Sequence, residues 1–150
     1  MGHPLLELKE RTAVVVGGTS GIGLALSKAL TQAGANVVPT GRRADLVRSA
    51  ASTVEKLGGR SLVATCDVHD DSSLDHLLQV VCESFGSVEI LVNCAGRTKR
   101  MPTLEFPDAE WDAILETNLK GTLDTAVCKR VPSVSNRACR PAKNACALKL

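Results

Sequence analysis

The chain has 150 residues, 44% of them hydrophobic and 23% charged, a balance typical of one globular domain with a sizeable core. No apolar run approaches the ~18 residues that a membrane-spanning helix needs, and the first residues lack the apolar core of a signal peptide. We therefore expect a cytoplasmic protein with no membrane partner.

Charge divides the chain into two parts of different composition. Residues 1–125 hold twelve Lys and Arg against sixteen Asp and Glu, a net charge of −4, whereas residues 126–150 hold six basic residues and no acid. This shift predicts a folded domain over 1–125 and a basic, cysteine-containing tail over 126–150. Because no aromatic residue follows Trp111, we expect no nucleic-acid partner for that tail.

The cysteines and histidines form no pattern that indicates a metal site. Six cysteines are spread along the chain without a C-x-x-C pair, and the three histidines lack ligand spacing. We predict no metal, no disulfide framework, and thiols that are mostly buried and reduced.

The stretch TAVVVGGTSGIG, residues 12–23, reads as a strand, a glycine turn and the start of a helix. Its apolar run is typical of a buried parallel strand, and the glycines that follow have the spacing G-x-x-x-G-x-G. Gly17 can adopt backbone angles that a Cβ forbids, Gly21 lets a ligand approach the chain, and Gly23 lets the helix pack closely. Unpaired N–H groups at such a helix start favour a phosphate ligand.

Strands and helices alternate regularly through the rest of the first 125 residues. The predicted strands are 13–16, 36–40, 61–66 and 89–93, and the predicted helices begin near residues 22, 44, 71 and 108. Pro39 cannot donate a ladder hydrogen bond, which limits the second strand. The alternation predicts an α/β fold with a doubly wound parallel sheet. Beyond about residue 124 the periodicity ends, and we expect an irregular tail.

Four motifs in register resemble the short-chain dehydrogenase/reductase family over about residues 8–125. They are Gly17-x-x-x-Gly21-Ile22-Gly23, Asp67-Val68, Asn93-Cys94-Ala95-Gly96 and Asn118-Leu119-Lys120-Gly121. The resemblance implies the cofactor-binding half of a Rossmann-like domain with strand order 3-2-1-4. It also implies that the fourth strand is left as an apolar edge, so we expect this chain to aggregate, whereas full-length relatives are expected to form homo-oligomers.

The resemblance also implies which residues bind a dinucleotide. Thr19, Ser20 and Ile22 resemble the loop that cradles the phosphates, with Gly17 and Gly23 shaping it. Asp67 resembles the carboxylate that accepts from the adenine amino group, and an ordinary turn aspartate is the alternative. The remaining residues that the motifs implicate are Val68, Asn93, Ala95, Gly96 and the motif glycine Gly21.

The end of the second strand bears on the choice of cofactor. A free ribose 2′-hydroxyl is normally held by an acid there, whereas a 2′-phosphate needs a cation. The chain has Arg42 and Arg43 at this place and no acid before Asp45, which favours NADP over NAD. The alternative is that both arginines are solvated residues at a helix start.

The catalytic residues that the family implies are mostly missing from these 150 residues. Asn118 resembles the catalytic asparagine that bends a helix and holds a water molecule, with a surface Asn as the alternative. The chain has no tyrosine for the proton step. We therefore expect a truncated or frameshifted chain without turnover, or a non-catalytic dinucleotide-binding or dimerising variant.

The substrate class is also suggested by resemblance. The segment AGRTKRMPTLEF is similar to sugar-acid members such as gluconate dehydrogenases. This similarity implies an alcohol or ketone substrate, with Lys99 and Arg100 facing its carboxylate. The alternative is a solvated basic loop.

Overall fold

The computed structural model describes residues 7–128 and 146–149, of which 127–128 and 146–149 are described as backbone only. The chain forms one sheet in the order β2-β1-β3-β4, and every neighbouring pair is parallel. The strands are β1 (Thr12–Val16), β2 (Asn36–Thr40), β3 (Ile90–Asn93) and β4 (Cys146–Lys149). Parallel pairing throughout confirms the predicted α/β class.

The helices lie on both faces of this sheet, as a doubly wound fold requires. They are α1 (Gly21–Gln32), α2 (Ala44–Lys56), α3 (Asp71–Phe85), α4 (Asp108–Leu115) and α5 (Gly121–Cys128). A π-helical turn, Glu116–Lys120, joins α4 to α5, and a short 3₁₀ turn covers Thr103–Glu105. Within the described part of the chain, no helix is long and apolar enough to cross a membrane.

Strand β1 supplies side chains to two hydrophobic cores, one on each face of the sheet. Val14 and Val16 belong to the core that includes Leu77 of α3, whereas Ala13 and Val15 belong to the opposite core. Because successive side chains of a strand point to opposite faces, a strand that is apolar throughout must be covered on both sides. The run of small apolar residues before the glycine turn therefore fixes β1 in the centre of the sheet.

The predicted strand over residues 61–66 is wrong, although the segment lies where a third strand was expected. It runs beside β2, where Val37 N–H donates to Arg60 O (3.0 Å) and Cys66 N–H donates to Gly41 O (3.0 Å). Between these bonds stands Pro39, which has no N–H to donate. The Thr40 hydroxyl instead donates to Ala64 O at 2.6 Å. The missing donor interrupts the ladder, so the segment follows the sheet without forming a regular strand.

The expectation of an irregular tail is wrong at its end. Strand β4 lies within the tail and pairs with β3, with Asn93 opposite Lys149 in the register. The edge of β3 that was expected to be open is therefore covered by backbone. Residues 129–145 lie outside the described residues. The proposed boundary at residue 125 stays a prediction, and α5 continues past it to Cys128.

The described cysteines differ in state. Cys66 is buried and carries a free thiol, whose pKa burial raises to about 11. Cys94 is half-buried and also free. Cys82 of α3 is disulfide-bonded, so the expectation of reduced thiols is wrong at that position.

An exposed apolar stripe runs along α4 and α5. Its members are spaced four residues apart and are between 40% and 61% exposed: Trp111, Leu115, Leu119 and Leu123. A four-residue repeat drifts around an α-helix of 3.6 residues per turn, and the wider π-helical turn absorbs part of that drift. The turn thus helps to keep the four side chains on one face.

We expect this stripe to make the chain self-associate, because contiguous exposed apolar surface drives association. Replacing Leu119 and Leu123 together with lysine should shift the chain towards monomer in size-exclusion chromatography with light scattering. Leu57→Lys is the matched control, since Leu57 is 42% exposed but lies at the end of α2, outside the stripe. Equal behaviour of the double variant and the control would contradict the prediction.

Candidate dinucleotide-binding site

The carboxyl ends of β1 and β3 meet at the glycine turn. Gly17 has a φ of +80°, and a Cβ on it would lie 2.5 Å from Ala95 N. Cys94 N–H donates to Val16 O at 2.7 Å, which holds the segment after β3 against the turn. Glycine is therefore required at position 17 both for its backbone conformation and for this close approach.

The N-terminus of α1 opens directly from this turn. Ser20 precedes the helix in an extended conformation and makes no side-chain capping hydrogen bond. The first N–H groups of a helix have no intrahelical acceptor, so these amides are available to an anionic ligand. Ile22 is 70% exposed beside them, whereas Gly23 is buried against the turn.

The end of β2 joins the same place. Thr40 O accepts from the N–H groups of Gly17 (2.9 Å) and Gly18 (3.2 Å). A Cβ on Gly41 would lie 3.4 Å from the Thr19 side chain, so the residue that follows, Arg42, starts beside the glycine turn. Both predicted arginines are exposed, and neither makes an ion pair with another described residue.

Asp67 and Val68 follow the segment beside β2 and occupy different surroundings. The Asp67 carboxylate accepts from the backbone N–H of His69 at 3.1 Å, which is the geometry of an aspartate turn. Val68 is buried and packs on the first residue of α5, where a Cβ on Gly121 would lie 2.7 Å away. This contact fits the interpretation of Asp67 as a turn aspartate, and its other carboxylate oxygen accepts no hydrogen bond from another described residue.

Asn93 ends β3 with its side chain buried. It is 6% exposed, and its Oδ1 atom has no hydrogen-bond partner within the residues that the structure describes. A buried acceptor without a donor carries a desolvation cost, so this carbonyl oxygen needs a donor from elsewhere. Gly96, three residues on, begins the loop that leads to α4.

Asn118 lies in the π-helical turn and binds the loop after β3. Its Oδ1 accepts from Arg97 N–H at 2.8 Å, and its Nδ2 donates to Arg97 O at 2.9 Å. Both ends of the amide are therefore used by one peptide segment. The Asn118 main-chain carbonyl accepts from the Thr122 hydroxyl at 2.9 Å. In this geometry Asn118 positions the loop.

A cleft of about 430 Å³ lies at this edge of the sheet, and no residue of the glycine turn lines it. Its lining comes from the β2 end, the loop after β3 and the helix α4 with its π-helical turn, and comprises Arg42, His69, Gly96, Arg97, Thr98, Ala113, Glu116 and Thr117. Arg42 thus lies in the cleft, whereas Arg43 is not among the lining residues. Across the cleft, His69 Nε2 and the Thr117 hydroxyl form a hydrogen bond of 3.1 Å.

An ion-pair cluster lies at the start of α4. Arg97 Nη2 is 2.7 Å from Glu110 Oε2, and Lys99 Nζ is 3.3 Å from Glu110 Oε1. The hydrogen bond from Arg97, followed by that from Lys99, holds the pKa of the Glu110 carboxyl below its ordinary value. Lys99, which was expected to face a substrate, is therefore paired with Glu110 of the same chain.

Sequence comparison matches residues 11–131 to the family described as short chain dehydrogenase. The chain belongs to the short-chain dehydrogenase family. This membership confirms the resemblance that the four motifs carry, and the match extends six residues past the predicted boundary at 125.

Individual relatives of this family cover the same part of the chain. Gluconate 5-dehydrogenase of Gluconobacter oxydans is 38% identical over 120 residues, which are 79% of this chain and 47% of that protein. An uncharacterized oxidoreductase of Staphylococcus epidermidis is 35% identical over 119 residues, 79% of this chain and 50% of its own length. The chain therefore spans about half the length of the curated relatives it matches.

Solved structures of the family superimpose on the fold. A short-chain type dehydrogenase/reductase from Mycobacterium marinum is 30% identical with a TM-score of 0.79, over 84% of this chain and 50% of that one. An actinorhodin polyketide ketoreductase solved with NADPH is 33% identical with a TM-score of 0.75, over 79% of this chain and 45% of that one. These similarities confirm the Rossmann-like fold of the described residues.

Sequence reasoning missed several residues of this site, among them His69, Glu110 and Thr117. His69 directly follows the Asp67-Val68 pair, and Thr117 directly precedes Asn118, so motif neighbours were the available signal. The sequence signal for Glu110 was weaker: it is an acid in the first turn of a helix that follows a basic loop. Such charges usually remain in solvent, so the sequence does not distinguish this pairing from an ordinary surface acid.

Proposed function

We propose that the described part of the chain binds NADP(H) along the glycine turn and the adjoining cleft, as the cofactor half of a short-chain dehydrogenase. The supporting observation is the convergence of three strand ends on the uncapped N-terminus of α1, next to a cleft that contains Arg42, which makes no ion pair with another described residue. Backbone amides at a helix start suit a pyrophosphate, and a guanidinium suits a 2′-phosphate. NADP is favoured over NAD because Arg42 follows β2 and because no acid lies between the end of β2 and Asp45.

The residues present fit a dinucleotide. A Cβ on Gly21 would have nothing within 4 Å, so the start of α1 is open to a ligand, and the buried Asn93 oxygen lacks a donor among the described residues. Thr19, Ser20 and Ile22 would hold the phosphates, and Asp67, Val68, Ala95 and Gly96 would line the adenosine side. When bound, the dinucleotide supplies a hydride donor or acceptor. Asn118 would keep the loop at Arg97 in place for it.

The 150 residues contain no tyrosine, and this fact favours a second candidate function. Proton exchange with an alcohol or carbonyl oxygen needs a positioned acid–base group, and tyrosine fills that role in the family. Under this second proposal the chain is a dinucleotide-binding or dimerising variant without turnover. Its cytoplasmic location stays a prediction.

The experiment is a calorimetric titration of the purified chain with NADPH, followed by an absorbance assay with NADP and gluconate. We expect binding in the micromolar range, around 10 μM or −7 kcal/mol, and no oxidation of gluconate above background. Far-UV circular dichroism establishes that the chain is folded. A folded chain without affinity for NADPH would contradict the first proposal, and measurable turnover would contradict the second.

A further inference from the structure

The loop after β3 carries three cations, two of which bind one carboxylate of α4. Arg97 and Lys99 each bind a different oxygen of Glu110, at 2.7 Å and 3.3 Å. Arg100 makes no ion pair with another residue that the structure describes. With Glu105, which lies in the same loop, and Glu110, three cations face two carboxylates, so one net positive charge remains to attract another anion.

This cluster adjoins the cleft through the α4 helix. Glu110 lies three residues before Ala113, so the two residues lie on neighbouring positions of one helix face. Ala113 and Arg97 both line the cleft. The peptide groups of Arg97 are held by Asn118, so its side chain can change partner while its backbone stays in place.

The ion pairs of Glu110 are open to solvent. The side chains of Arg97, Lys99 and Glu110 are 47%, 45% and 23% exposed. Pairs between exposed charges are weak, because water competes with each partner and screens the attraction. An anion that enters the cleft can therefore displace Glu110 at low cost.

We propose that Glu110 is a specificity-determining residue, an internal carboxylate that holds Arg97 and Lys99 until a substrate carboxylate replaces it. The proposal rests on the proposed function for the nature of the substrate. A carboxylate is favoured over a phosphate because the two cations already bind a planar, singly charged group through its two oxygens. Substrates without a carboxylate would leave Glu110 in place.

The test titrates gluconate, sorbitol and inorganic phosphate into the full chain and its variants. In Glu110→Gln the competing charge is removed, so gluconate should bind about threefold to tenfold more tightly than to the unaltered chain. Binding of sorbitol, which lacks the carboxylate, should not change. Adding Arg97→Gln and Lys99→Gln to the Glu110→Gln chain should remove the gain.

Asp112→Asn is the matched control. It removes the same charge from the same helix, and Asp112 makes no ion pair with another described residue. Far-UV circular dichroism checks that each variant is folded, and Glu110→Ala provides a second way to remove the carboxylate. No gain in either Glu110 variant, or an equal gain in Asp112→Asn, would overturn the proposal. A gain for phosphate as large as that for gluconate would overturn the assignment to a carboxylate.

A separate NADPH titration of the unaltered chain keeps this proposal distinct from the previous one. A chain that gains gluconate affinity on loss of Glu110 but does not bind NADPH would refute dinucleotide binding and support the role of Glu110. The reverse result would refute the role of Glu110 alone.

Discussion

Replacing Arg42 with alanine is expected to weaken NADPH binding by about tenfold to a hundredfold, the range for loss of a hydrogen bond to a charged group. Arg42 lies in the cleft next to the glycine turn and has no ion-pair partner among the described residues, so no internal acid competes for its guanidinium. NADH lacks the 2′-phosphate, and its affinity should change less than about threefold. Calorimetric titrations with both dinucleotides measure the difference.

Two further variants make this result specific. Arg48→Ala removes a cation from α2 outside the cleft and should leave both affinities unchanged. Arg43→Ala should have a smaller effect than Arg42→Ala, because Arg43 does not line the cleft. An equal loss of NADH and NADPH affinity in Arg42→Ala would contradict a 2′-phosphate contact. A larger loss in Arg43→Ala would assign the contact to its neighbour.

The sequence predicted the centre of the fold well because its signals there are local. Four consecutive small apolar residues before a glycine turn specify a strand buried on both faces, and β1 has that environment. Glycines with defined spacing specify a turn in which Cβ atoms do not fit, and the contacts of Gly17 and Gly23 have that character. Each of these features depends on residues that are close in sequence.

The errors arose where pairing between distant segments decides the structure. Residues 61–66 have strand composition, but the ladder depends on donors of β2, and Pro39 lacks one. The tail has no periodicity that signals a strand, yet β4 finds hydrogen-bond partners along the exposed edge of β3. An unpaired edge stabilises almost any extended backbone that reaches it, so the signal lies in β3 and not in the tail.

The site residues named from the sequence stay predictions, and their internal contacts were not predicted. The glycine turn, the end of β2 and the segment after β3 do meet at one edge of the sheet, as the rule for parallel α/β sheets requires. The ion pair between Lys99 and Glu110 was not predicted. The hydrogen bond by which Asn118 holds the backbone of Arg97 was not predicted either. Both contacts join side chains whose partners are eleven or more positions away, and composition alone carries no information on such pairs.

Gly23→Ala is expected to be one of the most damaging single substitutions in the described chain. The added Cβ would lie 2.1 Å from Gly17 O, 2.9 Å from Gly17 C and 3.0 Å from Gly18 Cα. All three are backbone atoms, so no side chain can rotate away to make room. The turn itself cannot move aside, because it packs against the segment after β3. A Cβ on Gly17 would lie only 2.5 Å from Ala95 N.

Relief of this clash would push α1 away from the turn and uncover the core beneath it, at a cost of more than about 3 kcal/mol. Urea unfolding followed by circular dichroism should show a lower midpoint or no folded baseline. Gly86→Ala is the control: Gly86 ends α3 with a φ of +88° and has nothing within 4 Å of an added Cβ, so only backbone strain of about 1 kcal/mol is expected. Equal midpoints for the two variants would show that α1 does not depend on close approach at Gly23. The proposed phosphate-binding site at the start of α1 would then lose its structural basis.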